Sequence, residues 1–227
     1  MDIKPIEEIA DKYANNTILR GLITAIPVIG GVLDATFSGD SSKRWQEKVG
    51  LLLDNLHENF NRCDEDKMDK KFVNSDEFEA LLISIIEAIR KVHEKGKIEL
   101  FANILTSSCL KKYSQEYRKE RFIHLVDNLS MIHIAILNLF RNEMSDDFIN
   151  ANKSIILTSE NISNKLSIDL YDCEVFCSEL ISSGLLFDPD IGTRNYKRGS
   201  YSLHKSAIRF FDFLFIDNPT EHEAKGK

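Results

Sequence analysis

The sequence lacks the residue patterns by which most enzymes and metalloproteins are recognised. Its 6 histidines include no His-Glu-x-x-His pair, and its 4 cysteines include no Cys-x-x-Cys pair. No glycine-rich run precedes the Lys and Ser or Thr of a phosphate loop, and no Gly-x-Ser-x-Gly elbow presents a nucleophilic serine. The carboxylates fall on predicted exposed faces or in loops, so no acid–base pair can be named. We therefore expect a protein without enzymatic activity, cofactor or metal.

The few cysteines indicate a reducing compartment. Cys109, Cys173 and Cys177 fall inside apolar helical patterns, where cysteine acts as a small hydrophobic side chain. Cys173 and Cys177 are one helical turn apart, but a zinc site needs two further ligands and only Cys109 and His204 are remote candidates. We interpret the pair as core residues. Because acidic rather than basic residues follow Met1, the sequence predicts no secretory signal and a cytoplasmic location.

The sequence also lacks an apolar run of the length that a membrane-spanning helix requires. The uncharged run from Gly21 to Leu33 has thirteen residues, whereas a spanning helix needs about 20. Pro27 interrupts any helix there, and the adjacent glycines allow close backbone approach. We interpret residues 18–37 as a buried or edge-packed hairpin and keep a segment that contacts membrane or partner as the alternative. The residues of that alternative are Ile26, Pro27, Val28, Ile29, Gly30, Gly31 and Val32.

Residues 1–127 contain successive amphipathic patterns, which predict an N-terminal helical bundle. An apolar stripe at helical spacing runs from Trp45 to Phe60, and the most apolar pattern, Phe78–Val92, follows a good N-cap residue at Ser75. We expect Phe78–Val92 to be the central helix and to end at Lys95-Gly96. The other expectations are an exposed connector over Cys63–Asn74 and helices over Lys97–Tyr113 and Gln115–Asn128.

Residues 128–217 contain three helical patterns and two strand patterns. The first helix begins after Leu129-Ser130, the second covers Ser159–Leu166, and the third covers Leu170–Ser183 and ends at Gly184. Strand patterns at Leu185–Phe187 and Tyr201–Leu203 flank a turn-rich stretch. The expected fold is therefore mainly α, with an N-terminal helical bundle, a C-terminal winged helix with a small β-hairpin wing, and a flexible tail over 218–227.

The third of these helices has little positive charge. A winged helix usually reads DNA with this helix, and phosphate contacts then require cations. No Lys or Arg lies between Lys165 and Arg194, and the net charge of the chain is −7. We therefore expect this helix to contact protein rather than nucleic acid. Its candidate acidic residues are Asp169, Asp172, Glu174 and Glu179.

Two basic clusters support an alternative, a DNA-binding regulator. One has Tyr113 and Tyr117 between its cations, and the other lies in the wing. Glu116 and Glu120 are mixed into the first cluster, which favours an ordinary solvated helix face over a nucleic-acid site. The cations are Lys111, Lys112, Arg118, Lys119, Arg121, Arg194, Lys197 and Arg198.

The layout resembles the Abi-alpha type of bacterial proteins, which are linked by name to abortive infection. The similarity lies in Phe78–Leu110, especially Leu100-Phe101-Ala102-Asn103-Ile104-Leu105, in Leu129-Ser130, in Gly184-Leu185-Leu186, and in the run from Tyr201 to Phe213. It implies a role in bacterial defence against phage. We thus expect an interaction protein with a protein partner. Nucleic-acid binding, membrane action through residues 18–37 and homo-oligomer formation stay open.

Overall fold

The computed structural model describes residues 40–144, 155–192 and 199–216. Within these ranges the protein is mainly helical with one small antiparallel sheet, which confirms the mainly α prediction. Segment 18–37, the wing cations Arg194, Lys197 and Arg198, and the tail 218–227 lie outside the described residues. The elements are α1 (Asp40–Arg62), α2 (Lys70–Val73), α3 (Asp76–Lys91), α4 (Lys95–Ser108), α5 (Lys119–Asn128), α6 (Met131–Asn142), β1 (Ile156–Thr158), α7 (Ser159–Leu166), α8 (Leu170–Ser182), β2 (Leu186–Phe187), β3 (Ser200–Leu203) and α9 (Lys205–Leu214).

The chain divides into two compact units. Unit 1 comprises Met1–Asp127 together with Phe213–Lys227, and unit 2 comprises Asn128–Asp212. Helix α9 therefore begins in unit 2 and ends in unit 1. In unit 1 the Asn103 amide joins this last turn to the core, because its Nδ2 donates to Leu214 O at 2.7 Å and its Oδ1 accepts from Asn59 Nδ2 at 2.8 Å.

The core of unit 1 is centred on α4 rather than α3. The stripe from Trp45 to Phe60 on α1 is buried as expected. Helix α3 begins as predicted, with Ser75 Oγ accepting from Phe78 N at 3.3 Å, but its other face is exposed. All residues from Leu100 to Ser108 on α4 are buried. The prediction failed because this run contains polar residues, and the hydroxyls of Thr106 and Ser108 donate to carbonyls one turn back, which allows their burial.

The boundaries of α4 and α5 also differ from those predicted. Helix α3 ends before Val92, which is extended, and Gly96 lies in the first turn of α4 rather than after the end of α3. Helix α4 ends at Ser108, and α5 begins at Lys119 instead of Gln115.

Residues 63–74 are exposed at six of their seven charged positions, as predicted, but they are not a simple loop. They form a single 3₁₀ turn followed by α2, and Met68 and Phe72 are buried. Asp69 N donates to Cys109 O and Lys111 N donates to Lys67 O, both at 2.8 Å, so the segment pairs with the chain that follows α4. The two apolar residues, one turn apart, determine the packing of this otherwise charged stretch.

In unit 2 the predicted helix limits are closely matched. Helix α7 is capped by Thr158, and Ser167 then takes a left-handed conformation with φ 53°. The N-cap of α8 is Asp169, and Gly184 follows the helix with φ 69°, as its position predicted. The strand order is β1-β3-β2 and both pairings are antiparallel. Strand β1, which pairs Leu157 with Tyr201, was not predicted.

Candidate functional site

Helix α8 is held in unit 2 by an apolar face and by polar contacts to α6 and to the start of α7. Cys173, Cys177 and Leu180 are fully buried on that face. His133 of α6 receives the Ser130 N–H at Nδ1 (3.1 Å), so its Nε2 carries the proton that it donates to Glu179 Oε2 at 2.7 Å. The opposite face of α8 is thereby turned to solvent.

The solvent face of α8 carries apolar side chains that unit 2 does not cover. Tyr171 is 74% exposed, Leu170 41% and Val175 40%. Tyr171 and Val175 are one turn apart, and Ser178 and Ser182 continue their line toward the end of the helix. The sequence predicts the acids of this helix as contact residues but not these apolar side chains. Their outward position could have been read from the buried spacing of Cys173, Cys177 and Leu180.

The predicted acids of α8 have different roles. Asp169 Oδ1 accepts from Tyr171 N at 2.8 Å and from Asp172 N at 3.4 Å, so this carboxylate caps the helix. Asp172 and Glu179 are exposed beside the apolar line, and Glu174 is half-buried. In the described range 155–192 the single cation is Lys165, whose Nζ lies 2.6 Å from Glu143 Oε1. The solvent face of α8 is therefore negative and partly apolar.

The structure removes Lys119 from the predicted basic patch. Its side chain is only 2% exposed, and its Nζ donates to Glu77 Oε1 at 2.7 Å and to Ser114 O. The same ammonium lies 4.0 Å from the centre of the Phe72 ring. The ammonium cannot reach a phosphate backbone from this position, because its contacts with Phe72, Glu77 and Ser114 are part of the fold of unit 1.

The remaining cations of this cluster have acidic neighbours. Arg118 forms a two-point ion pair with Glu116, and the carboxylate raises the pKa of the guanidinium. Lys111 Nζ donates to Asp66 O at 2.7 Å, which places it beside the acidic run 64–66. Lys112 and Arg121 are exposed. Glu116 and the acidic run 64–66 thus reduce the positive potential that phosphate binding would require.

Three of the four thiols are buried. Burial raises the pKa of Cys109, Cys173 and Cys177, so each is held as a neutral thiol. Over ranges 40–144, 155–192 and 199–216, no group of three or more His, Cys, Asp or Glu side chains is arranged to hold a metal ion. In unit 1 a shallow depression of about 300 Å³ is lined by Lys91, Val92, His93, Glu94, Lys97 and Asp127, whose charges are mixed.

Comparison with protein-family profiles, with curated proteins and with solved structures finds no match to this chain. Among the described helices, none is by itself both long enough and apolar enough to cross a membrane.

Proposed function

We propose that this is a non-catalytic binding protein whose unit 2 is a winged helix that contacts another protein. The order of elements supports this assignment of the fold. A first helix (α6) and a short strand are followed by two helices (α7 and α8) and the antiparallel pair β2–β3. In a DNA-reading winged helix, α8 would be the helix that enters the major groove.

One observation carries the functional proposal: the solvent face of α8 combines exposed Tyr171 and Val175 with acids and has no cation. Phosphate oxygens would repel Asp172 and Glu179, and the apolar side chains would gain nothing from them. A protein surface can bury the apolar groups and supply cations for the acids. The resemblance to Abi-alpha-type proteins supports a place for this contact in a bacterial defence response to phage.

Site-specific photo-crosslinking in cells tests the proposal. A photoreactive phenylalanine analogue is placed at Tyr171, and the matched control is the same analogue at Tyr117, a tyrosine of unit 1 that is 87% exposed. We expect a discrete protein adduct from position 171 and none of the same mass from position 117. The same adduct from both positions would show that exposure alone produces it and would contradict the proposal.

A gel-shift series at low salt tests the nucleic-acid alternative directly. We expect no sequence-selective binding of duplex DNA. The comparison is a variant with reversed charges at Arg194, Lys197 and Arg198, in which Asp172 and Glu179 are unchanged. If the parent binds duplex DNA tightly and selectively and this variant does not, a DNA-binding regulator replaces our proposal.

A further inference from the structure

We propose that the surface which docks on α8 is a basic amphipathic helix of about three turns. This inference rests on the proposed protein-binding function and specifies the chemistry of the partner. The docking line, defined as Tyr171, Val175, Ser178 and Ser182, lies within an arc of roughly 60° when successive residues are placed 100° apart. Its length is about 17 Å at 1.5 Å per residue, so it matches a helix better than a single loop.

The first half of the docking line supplies the apolar contact. Tyr171 and Val175 are substantially exposed, and Leu170 lies beside them at the start of the helix. An exposed tyrosine next to an aliphatic side chain is the kind of anchor that dominates binding energy at protein interfaces, because it buries a large area at a small cost in entropy. The partner should therefore place aliphatic side chains against this end.

The second half of the docking line allows close approach. Ser178 Oγ donates to Glu174 O at 2.7 Å, and Ser182 Oγ donates to Ser178 O at 3.0 Å. Both hydroxyl protons are thus satisfied within α8, and covering them with a partner leaves no unpaired donor. Small side chains here permit an interaxial distance of about 8 Å, at the short end of the range for packed helices.

The charges beside the docking line select the partner. Asp172 and Glu179 lie on one side of the line and Glu174 lies on the other. A second copy of α8 would bring carboxylates against carboxylates, which like-charge repulsion disfavours. A helix with Lys or Arg on both sides of an aliphatic stripe would pair with Asp172, with Glu174 and with Oε1 of Glu179, whose Oε2 is already held by His133. Complementarity of charge therefore favours a basic helix over self-association.

Nuclear magnetic resonance titration of the full chain with two designed peptides tests this inference. Both peptides are helical with one Leu/Ala stripe; the first has Lys on both sides of the stripe and the second has Glu. We expect backbone amide shifts from the Lys peptide that are confined to α8 and its neighbours in unit 2. The Glu peptide should bind at least tenfold more weakly, and the difference should shrink when ionic strength rises from about 0.02 M to about 0.3 M.

Two variants locate the contact. The double variant Tyr171→Ser and Val175→Ser should bind the Lys peptide about tenfold more weakly. The control Tyr117→Ser should leave this binding unchanged. Equal binding of both peptides, shifts outside unit 2, or no shifts would overturn the inference. If the photo-crosslink from position 171 persists in that case, only the partner class is wrong. If the crosslink is also absent, the protein-binding function fails as well.

Discussion

Replacement of Lys119 tests whether unit 1 holds an ammonium group in its interior through specific acceptors. Three substitutions separate the contributions of the charge, of the aliphatic stem and of the carboxylate that accepts from the ammonium. Lys119→Ala removes both the charge and the stem, Lys119→Met removes the charge but keeps a stem of similar volume, and Glu77→Gln neutralises the carboxylate that accepts from the ammonium.

The magnitudes follow from the contacts. Lys119→Ala loses three buried methylenes, worth about 0.8 kcal/mol each, and leaves Ser114 O without its donor. Glu77 is 57% exposed and stays hydrated, so no buried unpaired charge remains. We expect a loss of about 3 kcal/mol. Lys119→Met should lie within about 1 kcal/mol of the parent, because the desolvation of the ammonium is also removed.

The carboxylate is tested by a double-mutant cycle. Glu77→Gln in the parent weakens the acceptor of a buried cation and should cost about 1–2 kcal/mol. In the Lys119→Met background the same change should cost a few tenths of a kcal/mol, since no cation remains. The difference between these two costs is the interaction energy of the Lys119–Glu77 ion pair, because the other effects of each substitution cancel.

Urea denaturation followed by tryptophan fluorescence measures these energies. The chain has a single tryptophan, Trp45, which is buried in unit 1 together with Lys119, so its emission reports on that unit. The control is Lys112→Met, because Lys112 is exposed. A loss below about 1 kcal/mol for Lys119→Ala, or equal costs of Glu77→Gln in both backgrounds, would refute the argument from burial.

Three further predictions concern the two units. Asn103→Leu leaves Leu214 O without its donor and should lower the free energy of unfolding, measured by urea denaturation, by about 2–4 kcal/mol; an unchanged value would contradict the role of this amide. Gly199 has φ 100°, and a Cβ added there would lie 2.8 Å from a neighbouring side-chain oxygen; Gly192 has φ 82° and no atom within 4 Å of such a Cβ. Gly199→Ala should therefore lower the melting temperature more than Gly192→Ala, because it adds a steric clash to the backbone strain. Equal losses would contradict the contribution of the clash. Burial raises the pKa of Cys109 in the folded chain, so the thiol ionises first in the unfolded chain. Its contribution to stability is therefore intact below about pH 8.5 and falls by about 1.4 kcal/mol per pH unit above it. Cys109→Ala should flatten the pH dependence of the free energy of unfolding, measured by urea denaturation under reducing conditions, and an unchanged slope would contradict this.

Local patterns were reliable where a helix end is encoded by one residue or by a regular apolar period. Ser75 and Gly184 marked real helix ends because an N-cap hydroxyl and a left-handed glycine act on the nearest backbone groups. The stripe from Trp45 to Phe60 was read correctly for the same reason, since its period alone defines the buried face.

The candidate site was predictable only in part. The absence of cations between Lys165 and Arg194 is a property of the sequence, and it directed attention to α8. The exposure of Tyr171 and Val175 depends on which face of α8 the rest of unit 2 covers, and the His133–Glu179 contact joins residues 46 positions apart. The spacing of Cys173, Cys177 and Leu180 indicates that face, whereas the His133–Glu179 contact cannot be obtained from composition or spacing within the helix.

The sequence by itself determined the mainly helical class and the electronegative character of α8, because both depend on residue types and short spacings. Only the tertiary structure decided that α4 is the central helix of unit 1, that the charged stretch 63–74 packs against the chain after α4, and that Lys119 is an internal residue. The polar residues of α4 are buried partly through carbonyls within the helix, but the packing of 63–74 and the burial of Lys119 depend on partners tens of residues away, which supply backbone hydrogen bonds and an opposite charge.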